Sequence, residues 1–170
     1  MTDTKHSPDK PREQLWNLIK DIRFAMLTTR HADGQLHSRP MTTQNHSLQE
    51  DESLWFFMPR TGDTVHDLLA DPSVNVSYAH PGMDSYVSVS GKAVVREDME
   101  RKKLLWSKVN EAWFPLGVDD PNLALVEVSM THAHYWDVKE SKMMQLFEMA
   151  KAAITGKPPS LGESGNVQLS

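Results

Sequence analysis

The chain has 170 residues, of which 39% are hydrophobic and 24% are charged, a composition expected of one soluble globular domain with a single core. The formal net charge of −5 and the pI near 5.9 argue against a polyanion-binding surface, so no nucleic-acid partner is expected. The chain has no cysteine, which excludes disulfides, thiolate metal ligands and a cysteine nucleophile.

Residues 1–10 are polar and contain no apolar segment, so we expect a flexible N-terminus and no secretory signal. No apolar run in the sequence approaches the roughly 20 residues that a membrane-spanning helix requires. Together with the absence of cysteine, these observations lead us to expect a cytoplasmic protein with no membrane partner.

The predicted elements begin with an amphipathic helix over residues 11–22, where apolar side chains recur at helical spacing. Asp33 and Gly34 favour a tight turn shortly after this helix, and Pro59 is expected to close a strand. Three strands joined by short loops predict an antiparallel meander, and they cover residues 24–29, 35–43 and 53–58.

The central part of the sequence predicts one helix and two strands. Asp63 is expected to cap a short helix over residues 64–70, because its carboxylate can accept the free N–H groups of the first turn. Residues 74–79 alternate between apolar and polar side chains and predict a half-buried strand. Residues 86–95 predict a long strand with one apolar face, and Gly91 at its centre indicates a bulge or a bend.

A further helix is predicted to open at Glu97 and Asp98, where carboxylates favour the positive end of the helix dipole. Its apolar stripe is expected to comprise Leu105, Trp106, Val109, Ala112 and Trp113. Two more strands are predicted over residues 123–129 and 133–137, with a short turn around residues 130–131 between them.

A last helix is predicted to end at Gly156, and residues 157–170 are expected to form a flexible tail because they lack periodicity. The chain is therefore predicted to be a single domain over residues 11–156, mainly β with flanking helices. Because strands and helices do not alternate regularly, a parallel sheet is not expected. Six to seven short antiparallel strands favour a small closed barrel.

Sequence motifs exclude several classes of active site. The chain has no GxGxxG, P-loop or HExxH motif. His132 and His134 share one face of a predicted strand, but no third ligand lies at a recognisable spacing, so no metal site is predicted. Ser88 and Ser90 lack the context of a nucleophilic serine, and no side chain is assigned as a catalytic acid, base or nucleophile.

Arg39 lies inside a predicted strand, where a lone charge requires a partner. Either one of the 23 acidic residues or a ligand phosphate would satisfy it, and residue chemistry leaves both alternatives open. The aromatic run Trp55, Phe56 and Phe57 offers flat apolar surface beside it. The residues alone predict a small antiparallel barrel with one or two polar, aromatic-lined clefts.

Six segments in the same order and spacing resemble the general stress protein branch of the pyridoxamine 5′-phosphate oxidase-like, FMN-binding split-barrel family. The pattern runs from Leu15 to Asp137, about three quarters of the chain. The segments are SRPM at 38–41, LWFF at 54–57, DPSVNV at 71–76, YVSVSG at 86–91, AWFP at 112–115, and DDPNLAL at 119–125 leading to YWD at 135–137.

The resemblance implies a split β-barrel that forms a homodimer with FMN, or alternatively FAD, at the subunit interface. Phe57 and Met58 would lie beside the cofactor, and Tyr86 would make a polar contact. Trp136 would reach the flavin from the partner subunit. The strand that follows the cofactor would contribute Arg39, Pro40, Met41, Thr42, Thr43 and Gln44.

One departure from the family pattern affects the phosphate end of this site. Relatives typically have Ser-Pro-Lys after the third strand, and the lysine binds the phosphate, whereas this chain has Gly62, Asp63 and Thr64. Loss of one charge-assisted contact costs about 1.5–3 kcal/mol. Arg60 or the N–H groups of the helix at Thr64 would compensate, and Asp63 would oppose them. Asp63 and Thr64 are still expected to border the phosphate.

Two functional hypotheses follow. The first is an FMN-binding general stress protein that acts as a flavin-dependent oxidoreductase, with the redox chemistry carried by the flavin. The alternative is a non-enzymatic split-barrel binding module that has lost tight flavin binding. Pyridoxamine phosphate oxidation is not predicted, because the substrate-binding residues of the true oxidases have no match in the C-terminal tail.

Overall fold

The computed structural model describes residues 9–48, 53–137, 142–158 and 163–168. The helices of this part of the chain are α1 (Asp9–Ile19), α2 (Asp63–Ala70), α3 (Met99–Leu105) and α4 (Lys142–Thr155). The strands are β1 (Ala25–Arg30), β2 (Leu36–Met41), β3 (Ser53–Pro59), β4 (Ser73–His80), β5 (Ser85–Arg96), β6 (Leu123–Asp137) and β7 (Glu163–Gln168). Short 3₁₀ turns cover Pro81–Met83, Lys108–Ala112 and Gly117–Asp119.

The strands form one antiparallel sheet in the order β2-β1-β4-β5-β6-β3, which curls into a split barrel. This confirms the predicted fold class. The N-terminal half of β6 pairs with β3 and its C-terminal half pairs with β7. The strands β2 and β3 stand at opposite ends of the sheet order, yet the Gln44 N–H, just beyond β2, donates to the Trp55 carbonyl of β3 at 2.8 Å. This contact brings the two ends of the curled sheet together.

The main hydrophobic core fills the barrel and includes Leu27, Phe56, Val76, Val89 and Val126, all fully buried. A second core lies on the other face of β3 and β6, beneath α3 and the segment that follows it. It contains Trp55, Phe57, Leu105, Phe114, Leu123 and Leu125, with Trp106 packed against it. Because β3 has a core on each side, its side chains are buried in both directions, and this explains its continuous apolar sequence.

The bulge predicted at Gly91 is confirmed. The register between β5 and β6 shifts between Ser90 and Gly91, so that Thr131 is the extra residue on β6. A Cβ atom at position 91 would lie 2.4 Å from the Ser129 carbonyl oxygen, so only glycine suits this position. The bulge bends the chain without interrupting it, and the two strands predicted over residues 123–129 and 133–137 are in fact the single strand β6.

Two other local predictions differ from the structure, namely the cap of α2 and the extent of α3. Asp63 is the first residue of α2, and the cap position is Gly62, which makes no side-chain hydrogen bond. By contrast Asp98 caps α3 as a helix start requires, accepting from the Arg101 N–H at 2.9 Å. The helix α3 is shorter than predicted, because Trp106 already has extended backbone, and Val109 and Trp113 are exposed instead of lining an apolar stripe.

At the C-terminus, α4 ends at Gly156 as predicted, with Gly156 in a left-handed conformation at φ 68°. Residues 163–168 lie within the predicted flexible tail, but they form β7 and pair with β6. The backbone pairing was not visible in the sequence, because these residues show no alternating pattern. Among the described helices, none is both long and apolar enough to cross a lipid bilayer.

Candidate functional site

The split between β2 and β3 contains most of the predicted site residues. No ladder joins these two strands in the described residues, and the segment after β2 contacts the backbone of β3 through Gln44 and Asn45. Side chains of the β2 segment alternate in direction, as in any strand. Arg39 and Met41 point inward and are half-buried, whereas Pro40 and Thr42 are exposed.

Arg39 is paired with a carboxylate. Its Nη1 donates to the Thr29 hydroxyl at 2.8 Å, and its Nη2 lies 3.5 Å from Asp67 Oδ2. The Thr29 hydroxyl in turn donates to the same Asp67 oxygen at 2.7 Å. Of the two alternatives left open by the sequence, the salt bridge is the one observed. The Arg39 side chain is still 22% exposed, so part of the guanidinium remains accessible.

Two histidines complete this group, which we call the Asp67 cluster: Thr29, His31, His37, Arg39 and Asp67. His31 Nδ1 lies 2.9 Å from Asp67 Oδ1, and the His31 and His37 rings stack with their centroids 4.6 Å apart. Asp67 itself is buried. The cluster closes the end of the barrel against α2, where one carboxylate receives contacts from β1, β2 and the turn between them.

The charges in the cluster shift two pKa values in opposite directions. Burial raises the pKa of Asp67, but the hydrogen bonds from Thr29 and His31 outweigh it, and the pKa is lowered overall. The hydrogen bond with Asp67 is the largest cause that raises the pKa of His31, against an opposing contribution from desolvation. The negative charges of Asp67, Asp33 and Asp63 also raise the His31 pKa. Asp67 therefore stays ionised, and His31 gains a proton more readily than a free histidine.

Thr43 and Gln44 are fixed by neighbouring elements. The Thr43 hydroxyl lies 2.6 Å from the phenol oxygen of Tyr78, whose pKa is raised by its burial. Gln44 Oε1 accepts from Asn110 Nδ2 at 3.2 Å, which ties the 3₁₀ turn after α3 to this segment. Because the next residue, Asn45, also bonds the backbone of β3, the path of the chain through residues 43–45 is well defined.

Phe57 and Met58 have buried side chains, with Phe57 in the second core and Met58 in the main core. Their side chains are occupied by packing, and the ring of Phe57 lies against that of Trp106. The backbone of β3 offers a different route to a ligand. The Trp55 N–H and C=O both face the segment after β2, so the backbone groups of Phe57, two residues further, face the same edge.

The first turn of α2 lies at the end of β3, where the Gly62 N–H donates to the Pro59 carbonyl at 3.0 Å. Its cap residue Gly62 has extended backbone and no side-chain hydrogen bond, so no side chain of this cap accepts from the first-turn N–H groups. Thr64 is half-buried and lies one helical turn before Asp67, on the same helix face. Asp63 is exposed beside it. Arg60, considered above as a substitute cation, is instead paired with Glu97, with Nη1 to Oε1 at 2.6 Å.

Tyr86 and Trp136 lie elsewhere on the chain but next to each other. They are register partners on β5 and β6, and both project from the outer face of the sheet with exposed fractions of 40% and 45%. The strands β1 and β4 separate β5 from β2, so Tyr86 is about 14 Å from the β2 segment at the usual strand spacing. Within one chain, therefore, the predicted site residues form two separate groups.

The sequence prediction missed Asp67, Thr29, His31 and His37. One signal for Asp67 was available, because it sits between Val65 and Leu68 on the buried face of a predicted amphipathic helix. A buried acid requires a cation, and Arg39 was the cation without an assigned partner. The histidines gave no comparable signal, because their approach depends on the register of the β1–β2 hairpin.

Comparison with known proteins identifies the family. The model of the family described as pyridoxamine 5′-phosphate oxidase like matches residues 10–160. The chain therefore belongs to the pyridoxamine 5′-phosphate oxidase-like family. Among curated relatives, it is 34% identical to general stress protein 26 of Bacillus subtilis over 100 residues, which cover 56% of this chain and 66% of that protein.

Solved structures agree with this assignment. A protein described as general stress protein 26 from Jannaschia sp. CCS1 superposes with a TM-score of 0.73 at 26% identity, covering 95% of this chain and 99% of the other. The general stress FMN/FAD binding protein from Xanthomonas citri superposes with a TM-score of 0.67 at 30% identity, covering 79% of this chain and 92% of the other. The predicted resemblance is thereby confirmed.

Proposed function

We propose that this protein is a cytoplasmic general stress protein that binds FMN in the split between β2 and β3 as a homodimer. One observation carries the proposal. Arg39 of β2 offers a partly accessible guanidinium, and the first turn of α2, which follows β3 in the chain, has a cap that supplies no side-chain acceptor. A phosphate ester suits both groups, because it accepts from backbone N–H groups and pairs with arginine.

The segment after β2 offers fixed hydrogen-bonding groups to a flat ring. A flavin needs apolar walls together with a few fixed hydrogen-bonding groups. Thr42 is exposed, and Thr43 and Gln44 are held by Tyr78 and Asn110, so the backbone between them is positioned before any ligand arrives. Phe57 would contribute through its backbone groups on the free edge of β3, since its side chain is buried. The backbone groups of Met58 face β6, so Met58 would support the site by packing in the main core.

A second copy of the chain would supply the remaining wall. Within one subunit, Tyr86 and Trp136 are exposed on the outer face of the sheet, whereas the Arg39 side chain points inward on the edge strand β2. Phe24, just before β1, and Met26, on β1, are exposed as well, at 54% and 42%. Large apolar side chains on the outside of a sheet favour an interface, and a homodimer would bring Trp136 of one subunit to the split of the other.

The flavin, when bound, would supply redox chemistry that the side chains of this chain do not provide. The role of the chain is to bind and orient the cofactor and to exclude water from it. The general stress FMN/FAD binding protein of X. citri, at 30% identity, supports a flavin as the ligand. An FMN-dependent oxidoreductase is the activity that this arrangement supports, and we assign no catalytic side chain.

A second candidate function is a binding module without tightly bound flavin. The observation that favours it is the neutralisation of Arg39 by Asp67, together with an acid and a hydroxyl at Asp63 and Thr64. Both features reduce the positive charge offered to a phosphate. The two functions differ in flavin affinity, which can be measured directly.

The test is to purify the protein without added cofactor, record its visible absorbance, and titrate FMN while following quenching of flavin fluorescence. The proposal expects saturable quenching at micromolar FMN and a dimer by light scattering. A colourless protein that leaves micromolar FMN unquenched would contradict flavin binding and favour the second candidate. A monomer at micromolar concentration would contradict the interface site.

A further inference from the structure

The Asp67 cluster contains two histidines that the proposed flavin site does not use. Asp67 Oδ1 lies 2.9 Å from His31 Nδ1, and Asp67 Oδ2 receives Thr29 and Arg39. His37 stacks on His31 with an angle of 14° between the rings. One buried carboxylate therefore balances an arginine and a histidine at once, and the histidine can change its charge near neutral pH.

With neutral histidines, the surroundings of the phosphate end are not favourable to an anion. The charge of Arg39 is cancelled by Asp67, and Asp63 adds a negative charge in the first turn of α2. Thr64 is neutral, and Arg60 is paired with Glu97.

The other charged groups near His31 add no positive charge at Asp67. Asp33 lies in the β1–β2 turn, and its charge acts on His31. At the far end of α2, Arg30 and Asp71 pair with each other at 3.4 Å. His66 lies on the exposed face of the same helix. A proton on His31 would therefore add the positive charge that faces Asp67.

Resting on the proposed flavin function, we propose that protonation of His31, which stacks on His37, frees the Arg39 guanidinium to bind the phosphate and so compensates for the fixed cation that is missing at Thr64. Protonation of His31 gives Asp67 a second positive partner, so Arg39 is held less tightly and its accessible guanidinium is available to an anion. The site then prefers a phosphorylated flavin over the same ring without phosphate, and it takes up a proton on binding.

A metal ion is a less suitable occupant of this cluster. Two histidines and one carboxylate are a common metal-binding set, and their donor atoms lie within 4.8 Å of one another. The rings of His31 and His37 are nearly parallel, however, so their in-plane lone pairs do not converge on one point. The carboxylate also has Arg39 as a partner, and a metal would have to compete with that cation.

The experiment compares FMN with riboflavin, which has the same ring and no phosphate. Both ligands are titrated against the full-length protein by fluorescence quenching at pH 6, 7 and 8, at constant ionic strength, in one series with EDTA and in a second series without it. We expect the FMN dissociation constant to rise about tenfold from pH 6 to pH 8, the effect of losing one charge-assisted contact. The riboflavin constant should change less than twofold. The charge of the ligand would have the opposite effect on the dissociation constant, because a phosphate monoester gains negative charge above about pH 6 and then binds a cation more tightly.

Substitutions test which residues cause the pH dependence of FMN binding. His31→Gln and His37→Gln should each reduce the pH dependence of FMN binding to threefold or less. His66→Gln is the matched control on the exposed face of α2 and should retain the full dependence. Thr64→Lys supplies a permanent cation and should give tight FMN binding at pH 8 with little pH dependence. Calorimetry of the unaltered protein in two buffers of different ionisation enthalpy measures proton uptake without any substitution.

The possible results separate a failure of the proposed flavin function from a failure of the role proposed for the histidines. If neither flavin binds at any pH, the proposed function fails and the inference fails with it. If FMN and riboflavin bind equally well, or if FMN affinity does not change with pH, the flavin site stands and the role of the histidines is overturned. If EDTA removes the pH dependence, a bound metal and not a proton is the active species, and the proposal is likewise overturned.

Discussion

Arg39 on β2 and Asp67 on α2 face each other at the end of the barrel, with Nη2 and Oδ2 3.5 Å apart and the Thr29 hydroxyl bonded to both side chains. The pair joins the edge strand of the sheet to the helix that borders the split. Asp67 is buried and stabilises the fold, whereas Arg39 is partly accessible and can contact a ligand. A substitution that removes Asp67 is therefore expected to lower stability but to strengthen phosphate binding.

Replacing Asp67 should separate these two roles. Asp67→Asn keeps an oxygen for Thr29 but removes the negative charge, and we expect a loss of about 2 kcal/mol in unfolding free energy, typical of hydrogen bonds to a charged group. FMN affinity should rise severalfold, because Arg39 is then free to pair with the phosphate. Urea unfolding and flavin titration measure the two effects. Glu97→Gln, which removes an exposed ion pair with Arg60, is the control and should cost at most about 1 kcal/mol.

Arg39→Ala completes the comparison. We expect FMN binding to weaken by at least tenfold, while riboflavin binding changes little and stability falls less than in Asp67→Asn. The smaller loss follows because Thr29 and His31 still bond Asp67 when Arg39 is removed. If the affinities for FMN and for riboflavin fell by the same factor while the unfolding free energy also fell, Arg39 would have only its structural role.

The stability contribution of His31 should depend on pH. The pKa of His31 is raised in the folded protein, chiefly by its hydrogen bond with Asp67. Folding therefore favours the protonated form, and the contribution is fully present below the ordinary histidine pKa and disappears as the pH rises through the folded value. The difference in melting temperature between the unaltered protein and His31→Gln should be larger at pH 6 than at pH 8. A difference that is constant with pH would show that ring packing on His37, and not charge, is what His31 contributes.

Gly91→Ala should destabilise the sheet without affecting the charge relationships of the site. The new Cβ would lie 2.4 Å from the Ser129 carbonyl oxygen and 2.9 Å from Val128 Cγ1, so the backbone of β5 or β6 must shift. Overpacking of this kind costs about 1–3 kcal/mol, measurable by urea unfolding. Gly82→Ala is the matched control, because its nearest neighbour is a flexible histidine side chain at 3.5 Å. It should change stability by less than about 0.5 kcal/mol.

The fold was largely predictable because its signals are local. Alternation along residues 86–95 gave β5, the apolar run after Ser53 gave β3, and Gly91 marked the bulge. The site was predictable only in part. Arg39 was recognised as a charge in need of a partner, but the identity of that partner depends on how α2 packs against β1, a contact between distant parts of the chain.

The predictions that were wrong also concern features that depend on contacts between distant parts of the chain. A bulge and a turn have similar short-range sequences, so residues 130–131 were predicted to be a turn when β6 in fact continues through them. The pairing of β7 with β6 depends on a long-range register, which the sequence of residues 163–168 does not show. The resemblance places Phe57 and Met58 beside a ligand, and that placement stays a prediction, but the sequence did not show that both side chains are buried in cores on opposite faces of β3.

The last prediction concerns the outer face of the sheet, where Tyr86 and Trp136 are register partners. If a second copy of the chain covers this face, Trp136→Ala should weaken dimerisation and FMN binding together, since one side chain serves the interface and the ligand of the other subunit. We expect at least a tenfold loss in each, because buried tryptophans at interfaces commonly contribute 2 kcal/mol or more. Sedimentation and flavin titration are measured on the same samples.

Leu104 offers the control, because it is a large apolar side chain of α3 with 63% of its surface exposed. Leu104→Ala should leave both quantities unchanged. Weaker FMN binding by Trp136→Ala in a protein that remains a dimer would restrict Trp136 to the ligand. Loss of the dimer with FMN affinity unchanged would show that the two splits are complete within single subunits, and the proposed contribution of the partner subunit would then be wrong.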